Sequence, residues 1–162
     1  MQKELLLQYQ EYNNKEELND PKKALLDQAI FATKLAYAPY SKFRVGAAVL
    51  MEDGRMISGA NIENASFPAG ICAERAALSS VSSLAPNVKI LSIAVSYIND
   101  NGQNESIISP CGICRQVISE YQQRQGSPIS ILLSNSLPSS KVIEIPSIEA
   151  LLPFMFTKAS LD

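Results

Sequence analysis

Apolar and polar positions along this chain change period several times, and each change marks an element. After Pro21 and up to the residue before Pro39, Ala24, Leu25, Gln28, Ala29, Ala32, Leu35 and Ala36 recur at helical spacing, predicting a helix with a mostly apolar face. Asp20 stands just before Pro21, which suits a first helical position, so Asp20 is the expected cap. Residues 45–51 are a continuous apolar run of strand length, Asp53-Gly54 is a tight-turn pair, and residues 56–62 read as the returning strand of a hairpin. Residues 72–83 predict a second helix, with Ala73, Ala76, Ala77 and Leu78 small or apolar enough to pack inward, broken at Pro86-Asn87. A strand is predicted over 90–98, then a polar loop over 99–104 with Gly102 at its tip, then a third helix over 111–123 ended by Gly126. Two short strands, 129–133 and 142–145, precede a short helix capped by Ser147 and reaching residue 152. Residues 5–12 give no firm assignment.

Strands alternating with helices imply an α/β domain. The expected architecture is three-layered, α/β/α, around a mixed sheet of about five strands: the hairpin must be antiparallel, and strands joined through a helix can be parallel. A length of 162 residues suits one domain, here residues 21–162 behind an N-terminal extension of residues 1–20.

Composition narrows the function classes. Apolar residues make up 46% of the chain, enough for a proper core, yet no run nears the ~20 residues a membrane helix needs. Leu5, Leu6 and Leu7 are too short a run for a signal peptide, so the expected location is the cytoplasm, where thiols stay reduced. Lys and Arg total 14 against 16 Asp and Glu, a poor footprint for gripping a polyanion, which tilts the reading toward a small neutral substrate and away from nucleic acid.

The chemistry lies in three cysteines, in a chain with no histidine. Their odd number argues against a disulfide framework. Cys111 and Cys114 form a Cys-x-x-Cys pair after Pro110, and Cys72 lies upstream in Cys-Ala-Glu. Both clusters fall at predicted helix starts, where free N–H groups and the helix dipole favour thiolates. Three thiolates could hold a zinc ion and leave a fourth position for water, the arrangement of a catalytic rather than a closed structural site. Glu74 could then move protons to and from that water, and Arg75 could offset the surplus negative charge. Taken singly, each residue also fits a blander role: buried thiols, a redox pair, a first-turn glutamate, a surface arginine. A non-catalytic zinc module is a further reading, and it requires Glu74 as a fourth ligand.

Cys72-Ala-Glu-Arg and Pro110-Cys-Gly-Ile-Cys-Arg-Gln116 together resemble the zinc signature of the cytidine deaminases, in its short, all-cysteine, homotetrameric form. The resemblance runs from Tyr37-Ala-Pro-Tyr-Ser-Lys-Phe43 to Leu151-Leu-Pro-Phe-Met-Phe156. It implies one Zn²⁺ per subunit on Cys72, Cys111 and Cys114, with Glu74 as the proton carrier and Arg75 and Gln116 supporting the ligands. It implies a nucleoside substrate whose ribose is held by Asn61 and Glu63, whose pyrimidine packs beside Phe43, and whose base edge is read by backbone around Ala73 and Ser109. Phe67 and Phe156 would come from neighbouring subunits, making the active sites shared. Phe67 stands where a tyrosine is common in the family. The implied reaction is hydrolytic deamination of cytidine or 2′-deoxycytidine in pyrimidine salvage. A deaminase of another amine-bearing heterocycle or nucleoside antibiotic is the nearest alternative, and the Asn61–Glu63 pair, suited to a sugar hydroxyl, argues against it.

Overall fold

The computed structural model of the chain describes residues 1–102 and 104–161; of the predicted loop over 99–104, Gln103 lies outside the described residues, as does Asp162. In chain order the elements are β1 (Gln10–Tyr12), α1 (Asp20–Ala32), β2 (Phe43–Met51), β3 (Met56–Ala60), α2 (Ala73–Leu84), β4 (Ile90–Asn99), α3 (Gly112–Gln125), β5 (Ser130–Leu133) and β6 (Val142–Ile145). Short 3₁₀ turns at Thr33–Leu35, Phe67–Ala69 and Ile148–Ala150 join some of them.

The six strands form one sheet in the order β1-β6-β5-β4-β2-β3. All neighbours are antiparallel except β4 and β5, which run parallel and are joined through α3. The sheet is therefore mixed, with one strand more than expected. The extra strand is β1, whose residues Gln10, Glu11 and Tyr12 pair with Glu144, Ile143 and Val142. Its sequence has no apolar alternation to betray it. Lys141–Glu11 is an exposed ion pair, and Tyr12 donates to a Glu144 oxygen at 2.9 Å, so polar contacts hold this edge.

The alternation along β2 divides the core between two faces. Ala48 and Leu50 point toward Leu25, Leu26 and Ala29 of α1, whereas Ala47, Val49 and Met51 point toward Ala77, Leu78 and Val81 of α2 and Ile118 of α3. One helix thus covers one face and two cover the other, giving the three-layer α/β/α arrangement. Two glycines allow the helices to press directly on the sheet. A Cβ on Gly46 would sit 2.2 Å from the Ala29 carbonyl oxygen of α1, and one on Gly59 would sit 2.4 Å from the Ala77 nitrogen of α2.

Two details of α1 differ from the sequence expectation. Its cap is Asn19, whose side chain accepts from the Lys22 N–H at 3.1 Å, and Asp20 is the first helical residue. The helix ends at Ala32 rather than running toward Pro39, because Thr33 turns its hydroxyl onto the Ile30 carbonyl at 2.7 Å and the chain tightens into a 3₁₀ turn. Leu35 is consequently exposed rather than part of the apolar face. Elsewhere the hairpin turns at Gly54 with φ of 83°, and α3 stops at Gly126 with φ of 66°, both positions that favour glycine. No helix among the described residues is long and apolar enough to cross a membrane.

Candidate metal centre and adjoining cavity

Two helices on the same face of the sheet start beside one another and deliver the three cysteines. Cys72 is the N-cap of α2 and Cys111 the N-cap of α3, both with extended backbone. Cys114 follows in the first turn of α3, on the same side as Cys111. The three sulfurs lie within 4.8 Å of one another. The Cys72–Cys111 Sγ separation is 3.9 Å and that of Cys111–Cys114 is 3.5 Å, without a disulfide. Tetrahedral zinc with Zn–S bonds of ≈ 2.3 Å sets its sulfurs about 3.8 Å apart, so this donor set fits the ion. Among the described residues no fourth cysteine or carboxylate joins the cluster.

Burial and helix-start N–H groups pull the thiols in different directions. Burial raises Cys72, and it pushes Cys114 far above the ordinary thiol range, with the Glu74 charge adding to it. Burial also works against the Cys111 thiolate, but hydrogen bonds from the Cys114 backbone, the Cys114 and Cys72 thiols and the Ile113 backbone outweigh it, and its pKa falls. A cation would stabilise all three thiolates together.

Glu74 is 5% exposed, in the first turn of α2 and two residues after Cys72. Burial raises its pKa, countered in part by its own backbone N–H and by the Cys114 thiol. A carboxyl group raised above its ordinary range in this way is better suited to hold and return a proton than an exposed one.

Two of the three cysteines, Cys72 and Cys111, line a cavity of about 690 Å³, a volume suited to a small molecule. Cys72, Ala73, Glu74, Ser109 and Cys111 line it together with Asn61, Glu63, Asn64 and Phe67. Asn61 and Glu63 leave the end of β3 on the same side, separated by Ile62, which bridges to both Tyr37 and Ile71. The Asn61 amide is bound at both ends to β2: it accepts from the Val45 N–H at 2.8 Å and donates to the Phe43 carbonyl at 3.0 Å. Glu63 accepts from the Tyr40 N–H at 2.9 Å and the Ser41 N–H at 3.3 Å. A hydrogen bond from the Ser41 side chain is the largest influence holding its carboxyl below the ordinary range, followed after burial by those N–H groups and by Lys42.

The remaining residues singled out from sequence lie outside the cavity lining. The Phe43 ring stacks on Tyr97, centroids 4.8 Å apart. Arg75 is half-buried and makes no side-chain hydrogen bond or ion pair among the described residues. Gln116 donates to the Phe156 carbonyl at 2.9 Å, and Phe156 itself is 58% exposed. Sequence reasoning passed over Tyr40 and Ser41, whose N–H groups orient Glu63, and Arg115, which holds the chain just before Cys111. A signal for the first pair was the tight Tyr-Ser-Lys turn, which puts Lys42 at φ of 60°.

A sequence-family profile described as "Cytidine and deoxycytidylate deaminase zinc-binding region" matches residues 19–126. The chain is similar to a protein named cytidine deaminase from Sporosarcina psychrophila, with 39% identity over 139 residues, 85% of this chain and 93% of the relative. A cytidine deaminase of Halalkalibacterium halodurans is 46% identical over 96 residues, 59% of this chain and 68% of the relative. Among solved structures, a cytidine deaminase from Burkholderia pseudomallei matches with a TM-score of 0.66 and 39% identity, covering 82% of this chain and 97% of that one.

Proposed function

The chain belongs to the cytidine deaminase family, whose zinc-binding region spans two thirds of it, and on that premise we propose that it hydrolyses cytidine or 2′-deoxycytidine to the uridine product and ammonia. The observation that carries this reading is Glu74: a buried carboxyl lining a nucleoside-sized cavity, beside the N-cap Cys72, one of three converging sulfurs.

Cys72, Cys111 and Cys114 would hold the zinc ion, which when bound supplies the Lewis acidity that lets a water ionise near neutral pH. Glu74 takes the proton of the attacking water as the C–O bond forms at C4 of the pyrimidine. It hands that proton to ring nitrogen N3, then carries the second proton, from the new C4 hydroxyl, to the amine as the C–N bond breaks, so that C4 becomes a carbonyl and ammonia leaves. Burial favours the protonated form of Glu74, which suits the return step. The backbone at Ala73 and Ser109, both in the cavity wall, faces the base edge. Asn61 and Glu63 take the sugar hydroxyls, and the strand-anchored Asn61 amide and N–H-anchored Glu63 carboxylate are held still for that task.

In this reading residues 21–162 are the deaminase domain, and residues 1–20 are an extension whose β1 lengthens the sheet. The protein works in the cytoplasm in pyrimidine salvage, as a homotetramer whose subunits share active sites. Support for the shared site comes from exposed apolar side chains in the cavity lining and the C-terminal segment: Tyr40 is 54% exposed, Ile62 50%, Phe67 78% and Phe156 58%. Phe43, Arg75 and Gln116 act from outside the cavity, Phe43 by fixing the start of β2 against Tyr97 and Gln116 by holding Phe156.

The test is an ultraviolet assay for loss of cytidine, run with and without a zinc chelator. The expected result is turnover that the chelator abolishes and added zinc restores. Absence of cytidine turnover by zinc-loaded protein would overturn the reading.

A further inference from the structure

Arg115 follows the last sulfur ligand and is not one of the cavity-lining residues. All three faces of its guanidinium are occupied. Nε donates to the Pro110 carbonyl at 2.7 Å, Nη2 to Ser109 Oγ at 2.8 Å, and Nη1 to the Leu151 carbonyl at 2.8 Å. Its backbone N–H donates to the Cys111 carbonyl at 2.9 Å. We infer that Arg115 is a positioning residue of the active site: it clamps Ser109 and Pro110 against Leu151, fixing the turn that brings Cys111 into the sulfur cluster and Ser109 into the cavity wall. The inference rests on the deaminase reading of the same cavity and adds to it a support outside the ligands.

The turn needs such a support. Among the described residues, neither Ser109 nor Pro110 takes part in a backbone-to-backbone hydrogen bond, and proline has no N–H to offer. The two contacts from Arg115 are the side-chain hydrogen bonds that hold it. The third contact ties the turn, through Arg115, to the Leu151 segment 36 residues beyond that arginine. That segment is itself strapped along α3: Ser147 accepts from Gln122 at 3.0 Å, Met155 Sδ from Ser119 at 3.0 Å, and the Phe156 carbonyl from Gln116 at 2.9 Å. The C-terminal segment thereby becomes part of the metal site's scaffold. A planar fork with donors in three directions matches three separate acceptors, whereas a lysine ammonium is a single point.

The test compares Arg115→Lys, Ser109→Ala and the double variant with the wild-type holoenzyme. Contacts that orient metal ligands from outside are worth about ten- to a hundredfold in metal affinity or activity. Arg115→Lys is expected to surrender zinc to a chelator about tenfold faster and to raise KM for cytidine more than it lowers kcat. Ser109→Ala should do the same more weakly, and the double variant should be no worse than Arg115→Lys, because both remove one shared contact. Wild-type zinc release and KM in Arg115→Lys would overturn the proposal. So would a lowered Tm with zinc release and KM unchanged, the mark of a merely structural residue, or full additivity in the double variant. If Arg115→Lys does not fold, Ser109→Ala decides: faster zinc release with raised KM supports the clamp, and wild-type values reject it. The chelator arm needs no substrate. Wild-type protein that failed to turn over cytidine would sink the deaminase reading, while zinc release would still decide the clamp.

Discussion

Replacing Gly59 by alanine tests how the sheet seats the metal site. The added methyl would lie 2.4 Å from the Ala77 nitrogen and 2.7 Å from the Ala73 carbonyl oxygen, both backbone atoms of α2, so no side chain can swing aside. Ordinary contact begins near 3.4 Å, and α2 must therefore lift from the sheet by about 1 Å. Overpacking of this kind costs about 1–3 kcal/mol, and in a chain of this size each kcal/mol lowers Tm by roughly 2–4 °C. The larger effect falls on the site. Ala73 lies directly between Cys72 and Glu74, so a lift of α2 moves one sulfur and the proton carrier relative to the α3 sulfurs. Zinc tolerates about 0.2 Å in its ligand distances, and misplacing a reacting group by about 1 Å costs around a hundredfold in rate. Gly59→Ala should thus bind zinc substoichiometrically and lose about two orders of magnitude in kcat/KM, read by metal analysis, thermal unfolding and the cytidine assay. Wild-type zinc content, Tm and kcat/KM in this variant would refute the seating of α2 on Gly59.

Gly112→Ala is the contrasting case: nothing lies within 4 Å of its added methyl although it sits between two sulfur ligands, so stability should rise by about 0.4–1 kcal/mol with zinc retained, as thermal unfolding of the holoenzyme will show. Glu74→Gln should keep zinc and fold normally, while kcat drops by about 10²–10⁴-fold or more; near-normal turnover would remove Glu74 from the proton path. Glu63→Gln removes a charged acceptor worth about 1.5–3 kcal/mol, so KM for cytidine should rise roughly ten- to a hundredfold with a smaller change in kcat, and an unchanged KM would place the sugar elsewhere.

The sulfur cluster was legible because its determinants are local. Cys111 and Cys114 share a helix turn by spacing alone, and Cys72 with Glu74 announces a second turn of the same kind. The helices, the hairpin at Gly54 and the stop at Gly126 were legible for the same reason. What stayed hidden depends on distant partners. β1 is a strand only because β6, some 130 residues later, offers it an edge, and Gln10-Glu11-Tyr12 has no periodicity of its own. Arg115 reads as an ordinary helix arginine until the Leu151 carbonyl arrives beside it. Gln116 sits in the ligand motif, yet its side chain serves the Phe156 segment. The shift of the first cap from Asp20 to Asn19 shows a smaller limit: both residue types cap well, and only the bond to Lys22 chooses between them.

The helix starts show how the fold trades local stability for chemistry. Asn19 caps α1 through its side chain, and α1 lies on the face of the sheet that carries no site residue. Cys72 and Cys111 hold the same position in α2 and α3 without a side-chain capping bond. A missing cap costs about 0.5–2 kcal/mol, so both site helices need other support. α2 has the close seat on Gly59 and the buried face of Ala73, Ala77, Leu78 and Val81. α3 has buried Ile118 and the strapped C-terminal segment. At α3 the N–H groups that a capping oxygen would satisfy lie near sulfur instead, and the Ile113 and Cys114 backbone is among the influences that lower the Cys111 pKa. Those groups favour the thiolate, which is the form a metal takes. The two uncapped starts are therefore where the helix dipoles contribute most to the site, and their stability is recovered farther along each helix, in packing that the metal does not touch.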